Sequence, residues 1–191
     1  FKTSSDAPDI GATGGLRFDK TRSTKLNNTN DSEANPTTWT ISVWLKDTSD
    51  FSGGANALIQ AGGAQANAEN VGFNINGFFW NTSNGQDSLQ ATNGQSANEW
   101  VNVVFQSTDT SFKIYENGTE IASKTISSDL NRYLNVGGQV RTLGAQPSQE
   151  FMNGYLSEYY FVDGQALEPS VFGNTNNDTQ SWVPKSGTDV K

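Results

Sequence analysis

The chain has 191 residues with 12 basic and 20 acidic side chains, a net charge of −8, and neither Cys nor His. That excludes disulfides, thiol and His-based catalysis and Cys- or His-ligated metal centres, and basic residues scattered singly on an acidic chain argue against a nucleic-acid partner. A domain of this length buries roughly 70% of its unfolded surface, and five Trp and eleven Phe supply much of that burial although only 34% of residues are hydrophobic.

In chain order, residues 1–15 are polar and glycine-rich and read as an extended arm, with Phe1 and Ile10 as apolar pegs for a neighbouring subunit or an anchor protein. The chain opens on Phe1 rather than Met and so reads as processed or as a piece of something longer. From Leu16 onward the hydrophobic pattern has period two. Residues 39–46 alternate, placing Trp39, Ile41, Val43 and Leu45 on one face; Val101, Val103 and Phe105 repeat the pattern, as do Phe112 and Ile114. Asn117-Gly118 separates two such runs and predicts a type I′ hairpin, whose two central residues need φ > 0. Further strands are predicted at 16–19, 57–60, 71–75, 78–81, 88–91, 133–136 and 155–162, and one helical turn at 169–172 stopped by Gly173. Short alternating runs between Gly/Asn turns predict an all-β fold, an antiparallel two-sheet β-sandwich over residues 16–173. A C-terminal extension, 174–191, follows, with Trp182 and Val183 as further pegs. No apolar run approaches the roughly 18 residues that span a bilayer, so membrane insertion is not expected.

Several of these segments together resemble the laminin-G-like (concanavalin A-like) jelly-roll family. Residues 39–46 look like its early core strand, 99–105 like its Trp-led central strand, Lys113-Ile114-Tyr115-Glu116-Asn117-Gly118 like its hairpin, and 151–158 like its late Gly-led strand. The run 154–173, followed by Trp182-Val183-Pro184-Lys185, resembles the closing signature of such domains in bacteriophages, especially marine ones. The resemblance implies a non-catalytic virion structural module on a tail fibre, tail tip or capsid appendage. Its partners would be other virion proteins, copies of itself, or a host-surface glycan, and its place the virion surface. Because one fold hosts many functions, a glycoside hydrolase or lyase and a secreted cellular lectin or adhesin stand as alternatives.

Glycoside hydrolysis needs two carboxylates about 5–9.5 Å apart across a cleft. Relatives that cleave glucans carry Glu-x-Asp-x-x-Glu on one strand, a run absent here; Glu116, Glu120, Glu158 and Asp163 read as solvated charges. No cofactor is expected. Calcium, which many relatives hold at the sandwich rim, stays open: Asp47/Asp50 and Asp6/Asp9 are loop pairs without a dense cluster of oxygen ligands. For sugar binding, an aromatic plate beside amides and hydroxyls is required. The best such set is Trp80 with Asn81, Asn74 and Asn76, joined by Trp44, Asn102 and Tyr115 from the minority faces of central strands. The alternative is that Trp44 and Trp80 are core residues.

Overall fold

Strands that alternate apolar and polar side chains bury one side, so two sheets stack with their apolar sides together. The computed structural model of the protein describes residues 14–29, 35–49, 56–62, 68–82, 87–92, 97–127, 130–146, 150–185 and 190. The front sheet contains β1 (Leu16–Phe18), β3 (Trp39–Asp47), β8 (Val101–Ser107), β9 (Ser111–Glu116), β10 (Thr119–Thr125) and β12 (Gly154–Asp163), in the order β1-β12-β3-β8-β9-β10. The back sheet contains β2 (Leu26–Thr29), β4 (Asn56–Gly62), β5 (Ala68–Asn74), β6 (Gly77–Asn81), β7 (Ser88–Gln90) and β11 (Val140–Leu143), in the order β2-β11-β4-β5-β6-β7. A small ribbon of β13 (Gly173–Thr175) and β14 (Trp182–Pro184) completes the set. The predicted antiparallel two-sheet sandwich is the fold of the chain.

All nine residues expected inside are buried in one cluster: Trp39, Ile41, Val43, Leu45, Val101, Val103, Phe105, Phe112 and Ile114. The back sheet contributes Val71, Phe73, Phe78 and Trp80 to the same cluster. Each such side chain contributes about 1.5–3 kcal/mol of burial, and a one-residue slip of any strand would turn its set outward. The expected hairpin is present between β9 and β10, with φ of 46° at Asn117 and 82° at Gly118. The predicted helical turn is a 3-10 turn, Pro169–Val171.

One expected strand is absent, and strands that were not expected are present. Residues 133–136 are not a strand, because the Tyr133 and Leu134 amides donate instead to the Glu69 carboxylate, at 2.8 and 3.0 Å. The back sheet is completed by β11 and by β2, Leu-Asn-Asn-Thr, whose composition carries no strand signal.

Glu69 is the centre of a polar network inside the core. Its carboxylate is fully buried and accepts from Trp80 Nε1 at 2.9 Å and from Arg132 Nε at 2.9 Å, besides the two amides. Arg132 is 7% exposed and donates from Nη2 to Ser107 Oγ at 2.6 Å. Its guanidinium lies 5.7 Å from the Trp39 ring and 5.3 Å from the Trp80 ring. A buried charge pair is tolerated only when its remaining lone pairs and protons are satisfied, and here the surrounding donors and acceptor do that.

β12 departs from regularity at its middle. Leu156 stands opposite Leu45 and Ser157 opposite Trp44, but the next residue to pair is Tyr160, with Ser42. Glu158 and Tyr159 together therefore oppose the single residue Val43, a β-bulge, and Glu158 takes a left-handed φ of 47°.

Beyond β12 the chain folds back over the front sheet's outer face. Phe172 packs on Val104 and Tyr115, with Tyr160, Val162, Leu167 and Val171 around them. Trp182 Nε1 donates to Asn102 Oδ1 at 3.1 Å. The Trp182 ring lies where a Cβ on Gly118 or Gly173 would come within 2.5 or 2.6 Å of it.

Candidate functional site

The back sheet's outer face is where amide side chains collect. Val71, Phe73, Phe78 and Trp80 point into the core, so by alternation Asn70, Asn74, Phe79 and Asn81 point outward. Register then aligns one residue from each strand. Asn27 stands opposite Thr142, Thr142 opposite Gln60, Gln60 opposite Asn70, Asn70 opposite Asn81, and Asn81 opposite Ser88. Six strands at about 4.8 Å spacing make this uncharged row about 24 Å long. Its middle is closed, with Thr142 2% and Gln60 4% exposed. Its β5–β7 end is open, with Asn70 and Asn81 half-buried and Ser88 exposed.

A second row adjoins that open end. Phe79 stands opposite Gly72 and Gln90, and its ring lies over Gly72, where a Cβ would come within 2.7 Å of Cζ. Asn74 Nδ2 donates to Gln90 Oε1 at 3.1 Å, and Asn74 Oδ1 accepts from the Asn76 amide at 2.8 Å. Gln90 Nε2 donates to the Phe78 and Ala91 carbonyls, which fixes its orientation. Asn70 Oδ1 is buried and finds no hydrogen-bond partner among the described residues. The charges beside the patch, Lys124 and Asp87, pair with each other, and Lys124 Nζ also donates to the Ser88 carbonyl at 3.1 Å. Each amide offers donors and an acceptor together, as a sugar hydroxyl does; no nucleophile or acid–base pair lies in the rows.

Of the residues proposed from sequence, Asn74, Asn76 and Asn81 are thus brought together, and Asn70, Ser88 and Gln90 join them. The last three escape sequence reading because only register places them there. The aromatic half of the site is not at the surface, and the alternative holds: Trp44 and Trp80 are core residues. Trp80 is fully buried, stacked on Phe112 with centroids 4.4 Å apart, and its Nε1 bonds to Glu69. It shares parity with Phe78, which carries it inward. Trp44 is 2% exposed, on the front sheet between Ser157 and Asn102. Asn102 is 1% exposed, its Nδ2 bonded to Ser42 Oγ and the Val43 carbonyl and its Oδ1 to Trp182. Tyr115 is 5% exposed beneath Phe172, and burial pushes its phenol pKa up. Trp182 and Val183 lie on their own sandwich, Val183 pairing with Asn174 in the ribbon; Phe1 and Ile10 lie outside the described residues.

The four carboxylates weighed for catalysis have separate engagements. Glu120 pairs with Lys113 at 3.0 Å, and that bond holds its pKa below the usual carboxylate value. Asp163 accepts from the Asn35 amide at 3.1 Å and from Asn135 Nδ2. Glu158 Oε2 accepts from the Tyr160 hydroxyl at 2.7 Å, and burial together with that carboxylate pushes the Tyr160 phenol up to about 12. Glu116 is half-buried at the end of β9, and desolvation raises its pKa. Among the described residues no group of three or more Asp or Glu side chains gathers to hold a metal ion; Asp6, Asp9 and Asp50 lie outside them.

Solved structures share this fold at low sequence identity. The heptameric SAP-like pentraxin from Limulus polyphemus superposes with a TM-score of 0.63 and 15% identity, covering 95% of each chain. The CBM40 of the Ruminococcus gnavus IT-sialidase, solved with α2,3 sialyllactose, gives 0.56 and 14%, covering 84% of this chain and 96% of that one. The botulinum neurotoxin serotype G binding domain gives 0.54 and 12%, covering 83% of this chain, which spans only 43% of that structure's chain. No curated protein matches the sequence. A family model described as the concanavalin A-like lectin/glucanases superfamily matches residues 18–171, most of the chain, and the chain belongs to that superfamily.

Proposed function

We propose that this domain is a non-catalytic carbohydrate-binding module whose recognition surface is the β5–β7 end of the back sheet. The observation that carries this reading is the register-built row of uncharged amides and hydroxyls, Asn70, Asn81 and Ser88, with Asn74 and Gln90 beside it. Such a surface satisfies sugar hydroxyls pairwise and offers no group that would break a glycosidic bond. The sialyllactose bound to the similarly folded CBM40 supports a glycan as the ligand class. The closing motif's resemblance to bacteriophage proteins supports a place on a virion surface, as a tail-fibre, tail-tip or capsid-appendage module adhering to host glycan.

The test is a glycan array probed with the purified chain, followed by titration of the hits against Asn81→Ala and Asn70→Ala. Each loses hydrogen bonds worth about 0.5–1.5 kcal/mol, so a several-fold loss of affinity is expected. Unchanged binding in both variants, or release of saccharide from a bound glycan, would overturn the reading.

A further inference from the structure

The C-terminal segment covers the front sheet's outer face over Val104 and Tyr115. At the β1 side a different surface lies open. Tyr155 stands opposite Arg17 on β1 and opposite Lys46 on β3, forming one transverse row. The row faces outward, because the adjacent Leu45 and Leu156 are core residues. The Trp100 ring, just ahead of β8, lies 6.5 Å from the Tyr155 ring at an interplanar angle of 55°. Tyr155 is 36% exposed, Arg17 is exposed, and Lys46 and Trp100 are half-buried.

The charges set this row apart. Arg22, Lys113, Lys124 and Arg132 each pair with a carboxylate. Arg141 and Lys185 lack a carboxylate partner but are engaged otherwise, Arg141 over the Phe161 ring at 4.5 Å and Lys185 Nζ on the Ser170 carbonyl at 2.6 Å, whereas neither Arg17 nor Lys46 has a salt-bridge partner among the described residues. Asp19, which feels the charge of Arg17, is already bonded to the Thr21 amide and hydroxyl. Two unpaired cations therefore stand on either side of Tyr155, with Trp100 beyond Lys46, on a chain of net charge −8.

We infer that this row is a second saccharide site, specific for a carboxylate-bearing pyranose such as a uronic or sialic acid residue. The exposed Tyr155 ring offers an apolar plate for the C–H face of a sugar, with the Trp100 ring tilted beside it. Arg17 supplies the planar fork that matches a carboxylate bidentately, and Lys46 a second positive charge from the other side of the ring. Aromatic plate and cations together select a charged sugar over a neutral one. They also select a sugar over an acidic peptide, which would leave the rings unused.

Isothermal titration of the full chain tests this with trigalacturonate, its methyl-esterified form, sialyllactose and a poly-glutamate peptide. Binding of either acidic saccharide is the expected result, the responsive one identifying the acid. Esterification, Tyr155→Ala and Arg17→Gln should each weaken it about tenfold. Both substituted residues are exposed, and an unchanged melting temperature separates loss of binding from loss of fold. No binding of either acid, equal affinity for the ester, equal affinity for poly-glutamate, or unchanged binding by both variants overturns the site. The back-sheet face lies on the opposite side of the sandwich and is read by variants at Asn70 and Asn81, so the two proposals fail separately.

Discussion

The substitution Arg132→Met removes the cation from a carboxylate that has no access to bulk water. Glu69 is 0% exposed and Arg132 7%, and breaking such a pair by deleting one partner costs about 3–5 kcal/mol. Against a total of about 5–15 kcal/mol for a domain, that is a large fraction. At about 2–4 °C per kcal/mol for a chain of this size, the melting temperature falls by roughly 10 °C. Deleting the charge from both partners, as Glu69→Leu with Arg132→Met, often restores stability to buried ion pairs. Here it should not. Trp80 Nε1 and the Tyr133 and Leu134 amides also bond to Glu69, and each loses its acceptor at about 1–3 kcal/mol. Urea unfolding of both variants and the parent provides the comparison. A double variant as stable as the parent would refute the claim that the carboxylate organises the segment around Tyr133.

Four further outcomes rest on the same geometry. Val103→Asp places an unpaired charge at a fully buried position and should yield no folded protein by circular dichroism. Trp182→Ala removes the bond to Asn102 and the cover over Gly118 and Gly173; a loss of about 1–3 kcal/mol is expected for a half-buried ring, with faster proteolysis of the ribbon and no change in oligomeric state by light scattering. Gly118→Ala adds a Cβ 2.5 Å from the Trp182 ring at a φ of 82° and should lower the melting temperature by several degrees, more than Gly138→Ala, whose Cβ meets nothing. Glu116 has its pKa raised above the ordinary 4.5 by desolvation, so the folded state binds its proton more tightly than the unfolded one. This effect destabilises at neutral pH and is relieved as pH falls through the folded value toward 4.5; Glu116→Gln should therefore raise the melting temperature at pH 7 and lose that advantage at low pH.

The alternation of Trp39 through Leu45 made the front-sheet core legible, because period two needs no knowledge of the partner strand. Trp80 stayed open between surface and core for the opposite reason: polar Asn81 beside it fitted a surface, while parity with Phe78 took the indole inward. Its burial depends on Glu69, and that pairing, like the one between Glu69 and Arg132 across 63 positions, leaves no local trace. Asn74, Asn76 and Asn81 were legible as a cluster within one hairpin. Asn70, Ser88 and Gln90 join them only through cross-strand register, and Arg17, Tyr155, Lys46 and Trp100 meet through contacts between three strands and the residue before a fourth.

The irregularity in β12 has a consequence for the length of that strand. Leu156 before it and Phe161 after it both pair with inward residues of β3, Leu45 and Ile41, although they are an odd number of positions apart. A uniform strand cannot do this; Glu158, turned left-handed at φ 47°, resets the phase. Removing Glu158 or Tyr159 would leave a single residue opposite Val43 and a four-position step from Leu156 to Phe161, so both would keep their inward partners in a uniform strand. A one-residue deletion at the bulge should therefore keep the core register and remove only the kink and added twist, and related chains should vary here in count as well as in side chain.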